Sequence, residues 1–247
     1  MTWKLSMRVS LHKPFCHKFL FPTQYMNTFL PSIQIESAPH PVAAVIWLHG
    51  LGADGNDFAS MAHDLDLSSC PAIRFIFPHA PSRPVTINEG YVMPAWYDIL
   101  SRDGHIQDDA GIRASERAVV ALIEREVARG IPAKNIVLAG FSQGCAMVLH
   151  TSLRYPQALA GVMALSGYLP LVDSFAVERH PANFHTPIFM AHGTQDPVVP
   201  LARGETSRDS LVQWGYTVHW HTYPMQHSVH PQEVADMSVF LQQVVRK

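Results

Sequence analysis

Charged side chains are scarce in this chain: Asp, Glu, Lys and Arg make up only 15% of its 247 residues, against about a quarter in an ordinary soluble domain. Apolar residues reach 47%, so a disordered chain, which needs low hydrophobicity and high net charge, is excluded. No block of one sign stands out either. Lys plus Arg number 18 and Asp plus Glu 20, a net charge of −2, without the basic stripe that a phosphate backbone or an anionic membrane demands. Nucleic acid is not an expected partner. No apolar run approaches the roughly 20 residues of a membrane span, so stable membrane insertion is not expected. Cysteine is nearly missing: Cys16, Cys70 and Cys145 are too few and too scattered for a disulfide framework, and none has the spacing of a zinc site. A reducing, cytoplasmic setting fits, with no metal implied.

The few charges are unevenly placed. Residues 1–35 hold Lys4, Arg8, Lys13 and Lys18 and no acid, which leaves 14 basic and 20 acidic residues in 36–247, a net of −6. Such a leader could be a signal peptide, but Pro14 and Lys18 interrupt any apolar stretch and no small-residue cleavage site follows. We expect 1–25 to be an extension or a misassigned start, with Met26 as initiator, and 26–247 to form a single domain.

From residue 42 onward, short β-branched and aromatic runs alternate with helical patterns, the signature of βαβ units around a mostly parallel sheet. Strands are predicted at 43–48, 73–77, 135–140, 160–165, 187–191 and 217–223, several of them apolar on both faces, as strands sandwiched between helices must be. Apolar residues at three and four spacings predict helices over 110–129, 143–154, 201–213 and 231–246. Between them, 78–109 reads as one long, proline-punctuated loop carrying Ile87, Tyr91, Val92, Trp96 and Tyr97. Loops of that length are usually functional or disordered, and its aromatics argue against disorder; a wall folded over a substrate is expected, with a covering flap packed on the core as the plainer reading.

Chemistry concentrates at Gly140-Phe141-Ser142-Gln143-Gly144, between a predicted strand and a predicted helix. A nucleophile elbow requires that context: serine on a sharp, strained turn, small flanking residues, and a helix amino terminus aimed at the developing negative charge. A serine hydroxyl is a poor nucleophile until a histidine takes its proton and a carboxylate orients that histidine. Asp196, in a Gly- and Pro-bounded turn just past strand 187–191, is the natural acid. Four histidines compete for the base. His219 and His221 alternate on one strand face, where a metal pair is conceivable but a packed or exposed histidine is the commoner outcome. His230 opens a helix and reads as a capping or surface residue. His227 follows the strand in a loop, and position favours it. Leu51, Ser142, Asp196 and His227 all fall just beyond carboxyl ends of predicted strands, the sheet edge where ligands bind. The loop His49-Gly50-Leu51-Gly52 resembles the loop after an early strand that supplies one oxyanion-hole N–H, and Gln143, next after the serine, would supply the other. A rival reading takes Gly50-Leu51-Gly52-Ala53-Asp54-Gly55 as a dinucleotide loop, but Asp54 would face the pyrophosphate and the expected later acid is missing. Cys145 reads as a small core residue rather than a nucleophile.

Together LHGLGADGNDF (48–58), FPHAPSRPVTIN (77–88), YVMPAWYDI (91–99), AGFSQGCAM (139–147), HGTQDPVVP (192–200) and YPMQHSV (223–229) resemble the bacterial carboxylesterases of the phospholipase/carboxylesterase family, which is similar to the acyl-protein thioesterases. The resemblance spans about 33–245 and implies an α/β-hydrolase fold without a separate cap domain. It also implies a triad of Ser142, Asp196 and His227, an oxyanion hole at Leu51 and Gln143, and an acyl groove lined around 86–97 by Ile87, Val92 and Trp96. Glu89, where the family often has Gly, and Gln226, where it often has a small residue, depart from the pattern and bear on substrate preference. The expected activity is serine carboxylesterase action on short to medium acyl esters, without metal or organic cofactor. Acyl-protein thioesterase or lysophospholipase activity is the alternative, and a non-catalytic binder the distant one. The substrate would be a small or lipid-like ester, and a homodimer is left open.

Overall fold

The computed structural model describes residues 29–101 and 104–245, so the expected extension over 1–25 and the Met26 start lie outside the described residues. In chain order the elements are β1 (Ser32–Glu36), β2 (Ala43–Leu48), α1 (Met61–Asp64), β3 (Ile73–Pro78), β4 (Ser82–Val85), β5 (Tyr91–Pro94), α2 (Asp109–Ala128), β6 (Ile136–Phe141), α3 (Gln143–Ser152), β7 (Gly161–Leu165), α4 (Val172–Glu178), β8 (Ile188–Gly193), α5 (Leu201–Gln213), β9 (Val218–Tyr223) and α6 (Pro231–Val244). Each of the six predicted strands and four predicted helices is present. The differences are additions: β1, α1, α4, and the hairpin β4–β5, which occupies part of the stretch read as one long loop.

A seven-stranded sheet runs in the order β1-β3-β2-β6-β7-β8-β9. β1 pairs antiparallel with β3, and the other ladders are parallel. This is the α/β-hydrolase arrangement expected from the sequence. β2 shows why its run of apolar residues is continuous. Ala44, Ile46 and Leu48 enter one core cluster, whereas Ala43, Val45 and Trp47 enter the other on the opposite face, as period-two geometry requires when both faces are covered. α2 and α3 cover the first face, through Ile112, Val119, Leu122, Met147 and Leu149. α6 covers the second through Met237, Phe240 and Leu241. All ten residues of α3 are buried, so this helix is a central pillar rather than an amphipathic surface element. Among the described residues no helix is long and apolar enough to cross a membrane.

Because the central strands are parallel, their carboxyl ends share one edge, and the loops leaving β2, β6, β8 and β9 converge there.

Candidate active site

Ser142 caps α3 directly after β6, with φ 56° and ψ −116°. An L-residue with a side chain rarely adopts that conformation, and holding it costs roughly 1–3 kcal/mol. Tight packing enforces it. A Cβ at Gly140 would collide with the Gly144 carbonyl, and one at Gly144 with the Leu48 carbonyl, so glycines bracket the serine because backbone passes too close for anything larger. The Ser142 N–H donates to the Leu165 carbonyl at 2.9 Å, tying the turn to the neighbouring strand β7.

Asp196 lies in the turn after β8 with its side chain fully buried. Its Oδ1 accepts the N–H groups of Val198 and Val199 at 2.8 and 2.9 Å, and its Oδ2 lies 2.7 Å from His227 Nδ1. A carboxylate oxygen here accepts, so Nδ1 carries the hydrogen and Nε2 presents its lone pair. That lone pair is 2.9 Å from Ser142 Oγ, in position to accept the hydroxyl proton. The Phe141 ring covers the imidazole, with centroids 4.7 Å apart. The structure thus brings Ser142, His227 and Asp196 into one hydrogen-bonded chain.

The competing histidines do other things. His230 caps α6: its ring accepts the Gln232 N–H at 3.1 Å, and Glu233 accepts the His230 N–H at 3.2 Å. His219 and His221 do share one face of β9, where they pack against Phe240 and Phe189. Among the described residues no group of three or more His, Cys, Asp or Glu could hold a metal ion. Cys145 is fully buried, and burial pushes its thiol pKa up, which suits a core residue. Gly50, read as part of a dinucleotide loop, instead brings its backbone beside the serine: a Cβ there would stand 3.3 Å from that of Ser142.

The loop carrying Leu51 is pinned from three sides. His49 Nε2 accepts the Ala80 N–H at 3.0 Å, so its Nδ1–H donates to Gly50 O at 2.7 Å, and burial keeps this imidazole's pKa low. The Trp96 indole donates to His49 O, and the Gly52 N–H to Pro94 O. Gln143, first residue of α3, grips the same 94–97 segment: its Oε1 accepts the Trp96 N–H at 2.8 Å and its Nε2 donates to Tyr97 O at 2.7 Å. One segment therefore sets the spacing between the two backbones expected to hold an oxyanion. This corrects the expectation for Trp96. It is 0% exposed, its carbonyl accepts the Ser115 hydroxyl, and it is a strut between loops rather than a groove wall.

Beside Ser142 opens a cavity of about 460 Å³, lined by Leu51, Ile87, Tyr97, Gln143, Tyr168 and Val199 among others. Ile87 is where the sequence suggested. Val92 is not: it is 58% exposed on β5, beside the likewise exposed Tyr91, and does not line the cavity. Sequence reasoning missed Ile99, Tyr168, Val198, Val199, Pro200 and Arg203, which also line it. Tyr168 follows β7 on the ligand edge, and Val198 to Pro200 adjoin the acid, so the same edge argument could have found them.

Residues 31–245 match the model of the phospholipase/carboxylesterase family. The chain is 42% identical over 221 residues to an acyl-protein thioesterase 1 of Neurospora crassa, covering 85% of this chain and 90% of that protein. It is 37% identical over 223 residues to an acyl-protein thioesterase 1 of Yarrowia lipolytica, covering 88% and 98%. Among solved structures, acyl-protein thioesterase 2 of Zea mays superposes with a TM-score of 0.77 at 28% identity, covering 88% of this chain and 100% of that one. The two sequence relatives are fungal thioesterases, so the expected likeness to bacterial carboxylesterases in particular is not borne out. The chain belongs to the phospholipase/carboxylesterase family, and it is a serine hydrolase of the α/β-hydrolase fold.

Proposed function

We propose that this protein hydrolyses acyl thioesters in the manner of an acyl-protein thioesterase, with Ser142, His227 and Asp196 as its triad and the backbone N–H groups of Leu51 and Gln143 as its oxyanion hole. The observation that carries the reading is the His227 ring bridging Ser142 at 2.9 Å and Asp196 at 2.7 Å, beside a largely apolar cavity. The likeness to thioesterases over most of the chain favours a sulfur leaving group over the oxygen ester first expected.

In this mechanism His227 Nε2 takes the Ser142 proton as Oγ bonds to the acyl carbon, and the carbonyl oxygen becomes an oxyanion held by the two N–H groups. Asp196 stabilises the imidazolium through Nδ1. The tetrahedral species collapses, the C–S bond breaks, and His227 returns the proton to the departing thiolate. Water then repeats the sequence on the acyl-enzyme, releasing the carboxylic acid and Ser142. A cavity of about 460 Å³ lies in the lower half of ordinary ligand pockets, roughly 300–1,000 Å³, and supports acyl chains of medium length.

The test compares an S-octanoyl cysteine peptide, its O-octanoyl serine counterpart and a lysophospholipid. We expect the highest kcat/KM on the thioester and a loss of roughly 10⁴ in Ser142→Ala. A preference for the oxygen ester or the lysophospholipid would overturn the thioester reading, and an active Ser142→Ala the triad.

A further inference from the structure

A second histidine stands behind the acid. His192, near the end of β8, is 1% exposed, and its Nε2 lies 2.8 Å from the Val199 carbonyl oxygen and 3.6 Å from Asp196 Oδ2. A carbonyl can only accept, so Nε2 carries the hydrogen. Val199 is then held at both ends: its N–H donates to Asp196 Oδ1 at 2.9 Å, beside that of Val198, while its C=O accepts from His192. The other side of the ring is fitted too. A Cβ at Gly204 would stand 2.5 Å from His192 Nδ1, so α5 carries glycine, a poor helix residue, where the imidazole needs room.

We propose that His192 is a positioning residue: its Nε2–H, bonded to the Val199 carbonyl, fixes the 196–200 turn so that the Asp196 carboxylate stays directed at His227. The inference rests on the triad reading above and extends it. Val198, Val199 and Pro200 also line the cavity, so one tether sets both the acid's orientation and part of the acyl wall. The charged and titratable groups facing His192 are Asp196, His227 and Glu205; burial lowers its pKa against the opposing pull of the two carboxylates. An uncharged His192 does not compete with His227 for the Asp196 charge.

Nitrogen NMR on the native protein tests this without any variant. His192 should be the Nε2–H tautomer at about pH 8; an Nδ1–H tautomer overturns the proposal. Among variants, His192→Phe should lower kcat roughly tenfold and move the low-field proton resonance of His227 Nδ1–H upfield, whereas His192→Gln, which keeps a donor, should restore both to within about threefold of native. Gly204→Ala, which displaces the ring from α5, should act in the direction of His192→Phe. Native kcat with an unmoved resonance in a folded His192→Phe, or a glutamine variant no better than phenylalanine, would sink the tether. Ser142→Ala measured alongside separates the two failures, since only a wrong triad leaves it active while the tautomer result judges His192 alone.

Discussion

The indole N–H of Trp96 donates to the carbonyl oxygen of His49 at 2.8 Å, and through that bond the segment after the β4–β5 hairpin holds the loop that carries Leu51. The same tryptophan gives its backbone N–H to the Gln143 side chain. The two backbones expected to hold an oxyanion are thus braced by one buried residue that does not line the cavity.

Trp96→Phe keeps an aromatic in the core but leaves the His49 carbonyl without its donor. A buried acceptor left unpaired costs about 1–3 kcal/mol, and the loosened loop should reduce turnover roughly tenfold or more. Thermal melting and steady-state kinetics on one preparation check both; a variant with native turnover would show that Leu51 needs no such support.

Asp196→Asn should leave the fold intact, because an amide oxygen can still accept the Val198 and Val199 N–H groups. Turnover should nevertheless fall by roughly 10²–10⁴, since the amide does not hold His227 in the tautomer whose Nε2 faces Ser142. Circular dichroism and kcat together decide it, and a loss under tenfold would mean that Asp196 is not the orienting acid.

Glu233 supplies the acceptor of the α6 capping box, yet its side chain is fully buried and burial raises its pKa from 4.5 to about 7. A raised carboxyl pKa means that the folded state binds the proton more tightly than the unfolded chain does. Its contribution is therefore fully present below about pH 4.5 and lost as pH rises through about 7, a swing on the order of 3 kcal/mol. Glu233→Gln keeps an oxygen for the His230 N–H and cannot ionise. Its melting temperature should be flatter than the native one between about pH 5 and 8; parallel curves would refute the assignment.

Glu89 sits at φ 56° and ψ 29°, the left-handed region in which a side chain costs about 1–2 kcal/mol. Its neighbour Gly90, at φ 76°, is already the residue that such a turn prefers. Glu89→Gly should stabilise the protein by about 1 kcal/mol, offset in part by the greater freedom of the unfolded chain. Denaturant midpoints measure this, and an unchanged or lowered midpoint contradicts it.

What was legible in the sequence follows from how locally each feature is encoded. β2, β6 and β8 announce themselves because burial on both faces demands unbroken apolar runs. β1 does not: SIQIE pairs only at the sheet edge and is half exposed, so its composition is mixed. The β4–β5 hairpin was hidden by Pro84 and Pro94, which a two-stranded ribbon tolerates and a central strand would not. In α4 only Phe175 is buried, too little for a period to show. Ser142 could be found because its strain is written in adjacent glycines. The cavity beside Ser142 is assembled from side chains between Leu51 and Arg203, and no window of sequence contains it. Trp96 reads as a wall in the sequence and is a buried strut in the structure, because an aromatic in a loop carries the same letter whether it faces solvent, substrate or core.

The conformation of Ser142 also sets stability and activity against each other. At φ 56° and ψ −116° the fold would be at greater ease with glycine, and a chain selected for persistence alone would lose its hydroxyl there. Serine at this position is therefore a strained choice that the nucleophilic role proposed for it would explain.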